Sequence, residues 1–291
     1  MIKILLKLMK YSIYLIIIFF MVNIFAETSD IKIHIDDLDK DTLCPKPGTQ
    51  HANDMHIVYL IDTTMELSEA QFDTIDRLLL SPEGLKDIKP YTRISIINLN
   101  GIDKQASQTD YLFSKCRPRN GEGPSELDKA NWLTESSRLM KQMWKNKFIP
   151  SYENAKKDLR DQPEGDFTQL IEIIYELSRM PHLAFRDNYS ERKLVIVSDL
   201  IQHSPNGGLS FVNSCVREKK CQSWEDIKSG DYGTLMRAML PRFGENPPTV
   251  QLLYLNSNTD PNLNSGAFEL WDAYFKDAGI TNLMLDFETN R

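Results

Sequence analysis

The stretch Met55-His56-Ile57-Val58-Tyr59-Leu60-Ile61-Asp62-Thr63-Thr64-Met65-Glu66-Leu67-Ser68 decides the fold. Residues 57 to 61 are an unbroken β-branched, aromatic and aliphatic run, the pattern of a strand covered on both faces, as in parallel sheets. The run stops abruptly in Asp62 and two threonines. Ser68-Glu69-Ala70-Gln71 has capping-box spacing, and Phe72, Ile75, Leu78 and Leu79 then recur at helical intervals, so a helix is predicted to follow. Asp62 to Leu67 is thereby a strand-to-helix loop at the carboxyl end of a strand, the place where open α/β sheets hold their ligands.

Working outward, Arg93 to Leu99 reads as a second strand and Tyr111-Leu112-Phe113 as a short third one. Cys116 to Pro124 is a loop dense in Gly and Pro, with neither GxGxxG nor Walker spacing to cradle a phosphate. Glu126 to Lys147 is helix-like, with Trp132, Leu139, Met143 and Trp144 available for packing, and residues 152 to 161 form a charged helix. The region around 114–162 therefore reads as an insertion over the sheet. Gly165-Asp166-Phe167-Thr168 leads into an apolar helix from Gln169, repeating the design of the first loop. Arg192 to Asp199 is a second buried strand that also ends in aspartate, followed by a polar loop, Gln202 to Gly208. Val250 to Leu255 and Thr281 to Leu285 add two strands, with an amphipathic helix from Ala267 to Ala278 between them. The alternation is βαβα, which predicts an α/β, mostly parallel sheet flanked by helices over residues 55–291.

Upstream, residues 27–54 form a polar arm or linker, in which Ile31-Lys32-Ile33-His34-Ile35 alternates as an edge strand would. Residues 1–26 have the make-up of an export signal: Lys3, Lys7 and Lys10, then the uncharged apolar run Tyr11 to Phe25, then Ala26 before Glu27-Thr28-Ser29-Asp30. Cleavage after Ala26 gives a periplasmic or extracellular protein. The alternative is an uncleaved membrane anchor over residues 4–25, although a span needs about 20 apolar residues. Either way the basic end stays inside and the remainder is exported.

The whole chain has 291 residues, 41% of them hydrophobic, and a formal charge of −7. Residues 1–26 hold three lysines and no acid, so 31 basic against 41 acidic residues leave −10 on the remainder. Such a surface repels phosphate backbones, which excludes nucleic acid as a partner class. The four cysteines, Cys44, Cys116, Cys215 and Cys221, are even in number in an exported chain, so disulfides are permitted. Cys215 with Cys221 is the first expected pair and Cys44 with Cys116 the long-range one; unpaired thiols remain the alternative. The five histidines form neither HExxH nor a triad, and GxSxG is absent, so no catalytic constellation is visible and the chain reads as non-enzymatic.

Asp62 and Thr64 closing the first strand, Thr168 ahead of a helix, and Asp199 closing a later strand resemble the von Willebrand factor A-type family. In that family a first strand ends in Asp-x-Ser-x-Ser, a Thr comes from a second loop, and an Asp ends a later strand. The resemblance implies a Rossmann-like fold with a metal-ion-dependent adhesion site. Glu66 stands at the third hydroxyl position and departs from the pattern. The implied ligand set for Mg2+ or Mn2+ is Asp62, Thr64, Glu66, Thr168 and Asp199, oxygen donors suited to a hard ion that keeps several waters. The implied partner is another protein, one that presents a carboxylate to the ion. Glu66 either adds a carboxylate to the set or occupies the position of that incoming acid.

The expected function is thus an exported protein-binding domain. Two alternatives accompany it: a magnesium-dependent phosphatase-like hydrolase with Asp62 as nucleophile, which lacks the usual second Asp because Thr64 stands there, and a structural component of an envelope assembly with a vestigial site.

Overall fold

The computed structural model describes residues 33–49, 54–64, 67–77, 84–85, 87–99, 111–121, 136–161, 167–183, 189–204, 222–231, 233–255 and 261–287, with single residues 52, 81, 165 and 185. The export-like segment, Glu66, Asp166, Cys215 and Cys221 lie outside the described residues.

In chain order the strands and main helices are β1 (Met55–Asp62), α1 (Glu69–Ile75), β2 (Arg93–Leu99), β3 (Phe113–Cys116), α2 (Ser137–Met143), α3 (Ile149–Arg160), α4 (Leu170–Leu177), β4 (Glu191–Ser198), α5 (Trp224–Ser229), α6 (Gly233–Ala238), β5 (Thr249–Tyr254), α7 (Pro261–Asp277) and β6 (Leu283–Phe287). The strands make one six-stranded sheet in the order β3-β2-β1-β4-β5-β6. All neighbours are parallel except β2 and β3. This is the mostly parallel, Rossmann-like sheet that the sequence predicted, with an antiparallel strand at one edge.

The central strands show why their sequences are continuous in apolar residues. On β1, Ile57, Tyr59 and Ile61 enter one core with Ile94, Ile96, Phe148 and Tyr152, whereas Val58 and Leu60 enter the other with Leu170, Ile174 and Trp271. Alternate side chains of a strand point to opposite faces, so a strand buried on both sides has no polar position to spare. The expected capping box opens α1: the Ser68 hydroxyl accepts from the Gln71 amide, and the Gln71 side chain accepts from the Ser68 amide.

Two expectations are corrected. The third strand begins at Phe113, after Tyr111 and Leu112, and runs antiparallel to β2 through Cys116. Ile33 to Ile35 is no edge strand. The His34 side chain accepts from the Asp36 amide, turning Ile35–Asp37 into a single 3-10 turn, and Ile33 packs with Leu38, Tyr91 and Met143. The expected long-range pair is present: Cys44 and Cys116 form a disulfide across 72 residues, which ties the arm to the end of β3. Two short helices, α5 and α6, were not anticipated.

Between α2 and α3 a π-helical stretch, Trp144–Phe148, keeps the helix running while widening its turn, and Phe148 stacks on Tyr152 against Phe113. The helix thereby covers the antiparallel edge of the sheet.

Candidate functional site

The chain leaves β1 in one direction to form β2 and returns on the other side to form β4. A crevice opens at such a reversal, outside the carboxyl ends of the two strands. The register pairs Ile61 with Val197, so the next residues, Asp62 and Ser198, stand level at this crevice.

Four of the five sequence-predicted ligands are described, and the structure brings them to this one place. The Thr64 hydroxyl donates to Asp62 Oδ1 at 2.6 Å, and the Thr64 amide donates to the same oxygen at 3.0 Å. Thr64 Oγ1 lies 2.7 Å from Thr168 Oγ1. A hydroxyl has one proton. Since that of Thr64 goes to Asp62, Thr168 is the donor in the second contact. Ser198 completes the line by donating to Asp62 Oδ2 at 2.7 Å, while its oxygen accepts from the Leu200 amide at 2.9 Å. Asp199 begins the loop beside it, its Oδ1 accepting from the Ile201 amide at 3.0 Å. Asp62, Thr64, Thr168 and Asp199 are all buried.

Burial dominates the electrostatics. It raises the Asp62 carboxyl above its usual range, against the pull of the hydrogen bonds from Thr64 and Ser198. It pushes Asp199 up to about 7, with the neighbouring Asp62 charge as the second cause. Two carboxylates and two threonine hydroxyls, all hard oxygen donors, fit a magnesium-like ion, and a divalent charge would relieve the cost of burying two like charges together. Asp62, Thr64, Thr168 and Asp199 are the residues that would hold it. Among the described residues no group of three or more His, Cys, Asp or Glu side chains gathers at one point. The set here has two carboxylates and completes itself with hydroxyls.

The three loops are held by partners that sequence reasoning missed. Ser198 is one; a polar residue closing an otherwise apolar run was its only signal. Gln202 is another: wholly buried, it accepts from the Ile171 amide at 2.9 Å and donates to Glu172 Oε2 at 2.8 Å, while Ser204 donates to the other oxygen of Glu172. This fastens the start of α4, and so the Thr168 loop, to the loop after β4. The His203 amide donates to the Thr168 carbonyl at 2.8 Å, and its ring lies against Phe167. On the other side, Thr63 donates through its hydroxyl to Asn98 Oδ1 at 2.7 Å and through its amide to Leu99, tying the first loop to the end of β2. Leu200 adopts a left-handed conformation, φ 60°, and its carbonyl accepts from the Trp271 indole at 2.9 Å.

No family model and no curated protein matches the chain. Among solved structures it is similar to von Willebrand factor type A from Catenulispora acidiphila, at TM-score 0.37 and 9% identity, covering 82% of this chain and 39% of that one. It is also similar to an aerotolerance-related membrane protein from Bacteroides fragilis, at TM-score 0.34 and 12% identity, covering 82% of this chain and 92% of that one. The chain thus spans about two fifths of the length of the first of these. The strand order carries the fold without help from either likeness.

Proposed function

We propose that this is an exported, non-enzymatic protein-binding domain of the von Willebrand A type, which engages its partner at the carboxyl ends of β1 and β4 through a divalent cation. The observation that supports this reading above all is the hydroxyl contact of Thr64 with Thr168, continuous with Asp62 and beside Asp199. Residues from three separate loops converge there, at the crevice that the strand order opens. A cation held by these groups would keep open positions for water or for a carboxylate of the partner.

The geometry favours this reading over a phosphatase. The phosphatase reading needs an acid/base two positions after the nucleophilic aspartate. Asp62 instead accepts three hydrogen bonds, and the residue two positions on, Thr64, spends its proton on Asp62 itself. Magnesium-dependent turnover of a generic phosphate ester, lost in Asp62→Asn, would reverse that preference.

The test is co-purification of partners by the mature protein in magnesium and in chelator. Capture in magnesium that is lost in chelator and in Asp62→Ala is the expected result. Capture that Asp62→Ala leaves intact would move the interaction to another surface and make the site vestigial.

A further inference from the structure

A carboxylate on a cation selects no particular partner, because every protein surface carries exposed Asp and Glu. Selection needs a second contact beside the first, and aromatic side chains are the commonest anchors of that kind. The rim of the crevice holds such side chains. Phe167 directly precedes Thr168, and His203 bridges to Thr168 from the loop after β4. Both are partly exposed, and their rings lie against each other with centroids 5.2 Å apart and planes tilted by 32°. Burial alternates along the second loop: Leu200, Gln202 and Ser204 are buried, whereas Ile201 and His203 are partly exposed. Alternation with a period of two places Ile201 and His203 on one outer face.

The fold makes no use of this apolar rim. Among the described residues, Phe167 and Ile201 join neither of the two cores that flank the sheet, nor the partly buried side chains packed on them. Phe167 does not staple α4 either, since a staple uses the residue before the N-cap, and the residue before the Gln169 cap is Thr168. Scattered exposed apolar residues are ordinary, but a ring pair with an aliphatic neighbour at the mouth of a crevice marks a place of contact. The backbone under it is already fixed. The His203 amide is bonded to the Thr168 carbonyl, the Ile201 amide to Asp199, and Gln202 between them is wholly buried on the Ile171 amide. A pre-ordered surface of this kind spends little entropy on binding.

We propose that Phe167, His203 and Ile201 form an apolar seat beside the cation, and that the partner offers a carboxylate accompanied by an aromatic side chain. This rests on the cation-dependent protein-binding reading, and it adds the chemistry by which that site tells one acidic partner from another. Bridged residues of antiparallel chains stand about 5 Å apart and consecutive residues about 3.8 Å, so the backbones of Phe167 and His203 both lie close to that of Thr168. A carboxylate and a ring close together on one partner segment therefore reach the ion and the seat at once.

The probes are butanoate and phenylbutanoate, titrated into the exported protein in magnesium and in chelator and followed by its amide resonances. In magnesium, phenylbutanoate is expected to bind roughly 3- to 10-fold more tightly than butanoate, the range that one added ring contact supplies. Phe167→Ala should remove the preference, Phe167→Trp should keep it, and Ile201→Ser should reduce it should Phe167→Ala fail to fold. Equal binding of the two acids in magnesium, or a preference that Phe167→Ala leaves intact, would overturn the seat while the cation reading stands. A preference that persists in chelator would overturn it as well, since the ring would then bind without the ion. Absence of magnesium-dependent binding by either acid would remove the cation reading and the seat with it. Magnesium-dependent self-association of the protein alone, lost in Phe167→Ala, would give the seat to a second copy and overturn the partner proposed for it.

Discussion

Thr64 and Thr168, 104 residues apart in sequence, meet hydroxyl to hydroxyl at 2.7 Å, and Thr64 also donates to a carboxylate oxygen of Asp62. The contact joins the loop after β1 to the loop before α4. Thr168→Val keeps the shape and removes the donor, leaving a buried Thr64 lone pair unserved. We expect a loss of about 1 kcal/mol in urea unfolding under chelator, the usual net value of such a bond. If the variant is as stable as wild type, the two loops are positioned by their other contacts, among them the Gly165 amide donating to the Thr64 carbonyl at 3.2 Å.

Magnesium or manganese is expected to raise the melting temperature of the wild type, because an ion that binds only the folded state stabilises it by mass action. Glu66→Ser should weaken that rise if the glutamate contributes a third carboxylate. A rise that appears only in Glu66→Ser would show Glu66 to be a plug. No rise in either folded protein would reduce the resemblance to one of fold.

Stability of the metal-free protein should fall as pH rises from about 4 to 7. Asp199 titrates near 7 in the folded state against an ordinary value of 3.8, so in this window the folded protein binds more protons than the unfolded chain. Its contribution is fully present below the unfolded value and is lost as pH climbs through the folded one, with a slope of at most about 1.4 kcal/mol per pH unit. Asp199→Asn should flatten the profile in this range, and saturating magnesium should do the same in the wild type. Urea midpoints measured across the window decide it, and a wild-type stability that rises there would contradict the burial argument.

Reducing the Cys44–Cys116 bond should destabilise the protein by about 4 kcal/mol, since a loop of some 70 residues lies between the 15- and 100-residue cases of the loop-entropy model. Unfolding with and without thiol measures it. A change near zero would mean that the arm is held by Ile33, Leu38 and Leu43 without covalent help.

The parts of the fold legible in the sequence were those in which one physical demand dominates. Ile57 to Ile61 and Leu194 to Val197 are buried on both faces, so nothing interrupts their apolar runs, and their ends mark the site. At β3 the demands are mixed: Phe113 and Cys116 are buried, whereas Ser114 and Lys115 between them are half-exposed, so four residues show neither alternation nor a run. The short α5 and α6 draw their hold from Trp224, Ile227 and Met236 against α7 and its neighbours, contacts that no local pattern announces. Asp62, Thr64, Thr168 and Asp199 were found because they end or precede strong elements. Ser198 was missed because its role follows from the pairing of Ile61 with Val197, a register fixed only once the sheet is assembled. Gln202 was missed for a related reason: its partners, Ile171 and Glu172, come from a different helix.

The bond between Cys44 and Cys116 also determines how the molecule would respond to force. A pull on the arm, resisted by something gripping the Asp62 end, would not unzip the chain from residue 45 onward. The load would cross at Cys44 into β3 and pass laterally through β2 to β1, across ladders of backbone hydrogen bonds. The residues enclosed by the bond, β1 and β2 among them, would be withheld from extension, a hidden length on the order of 240 Å at about 3.4 Å per residue. Stretched in an oxidising medium, the chain should extend by that much less than in a reducing one, so its mechanical compliance would report the redox state of the medium around it.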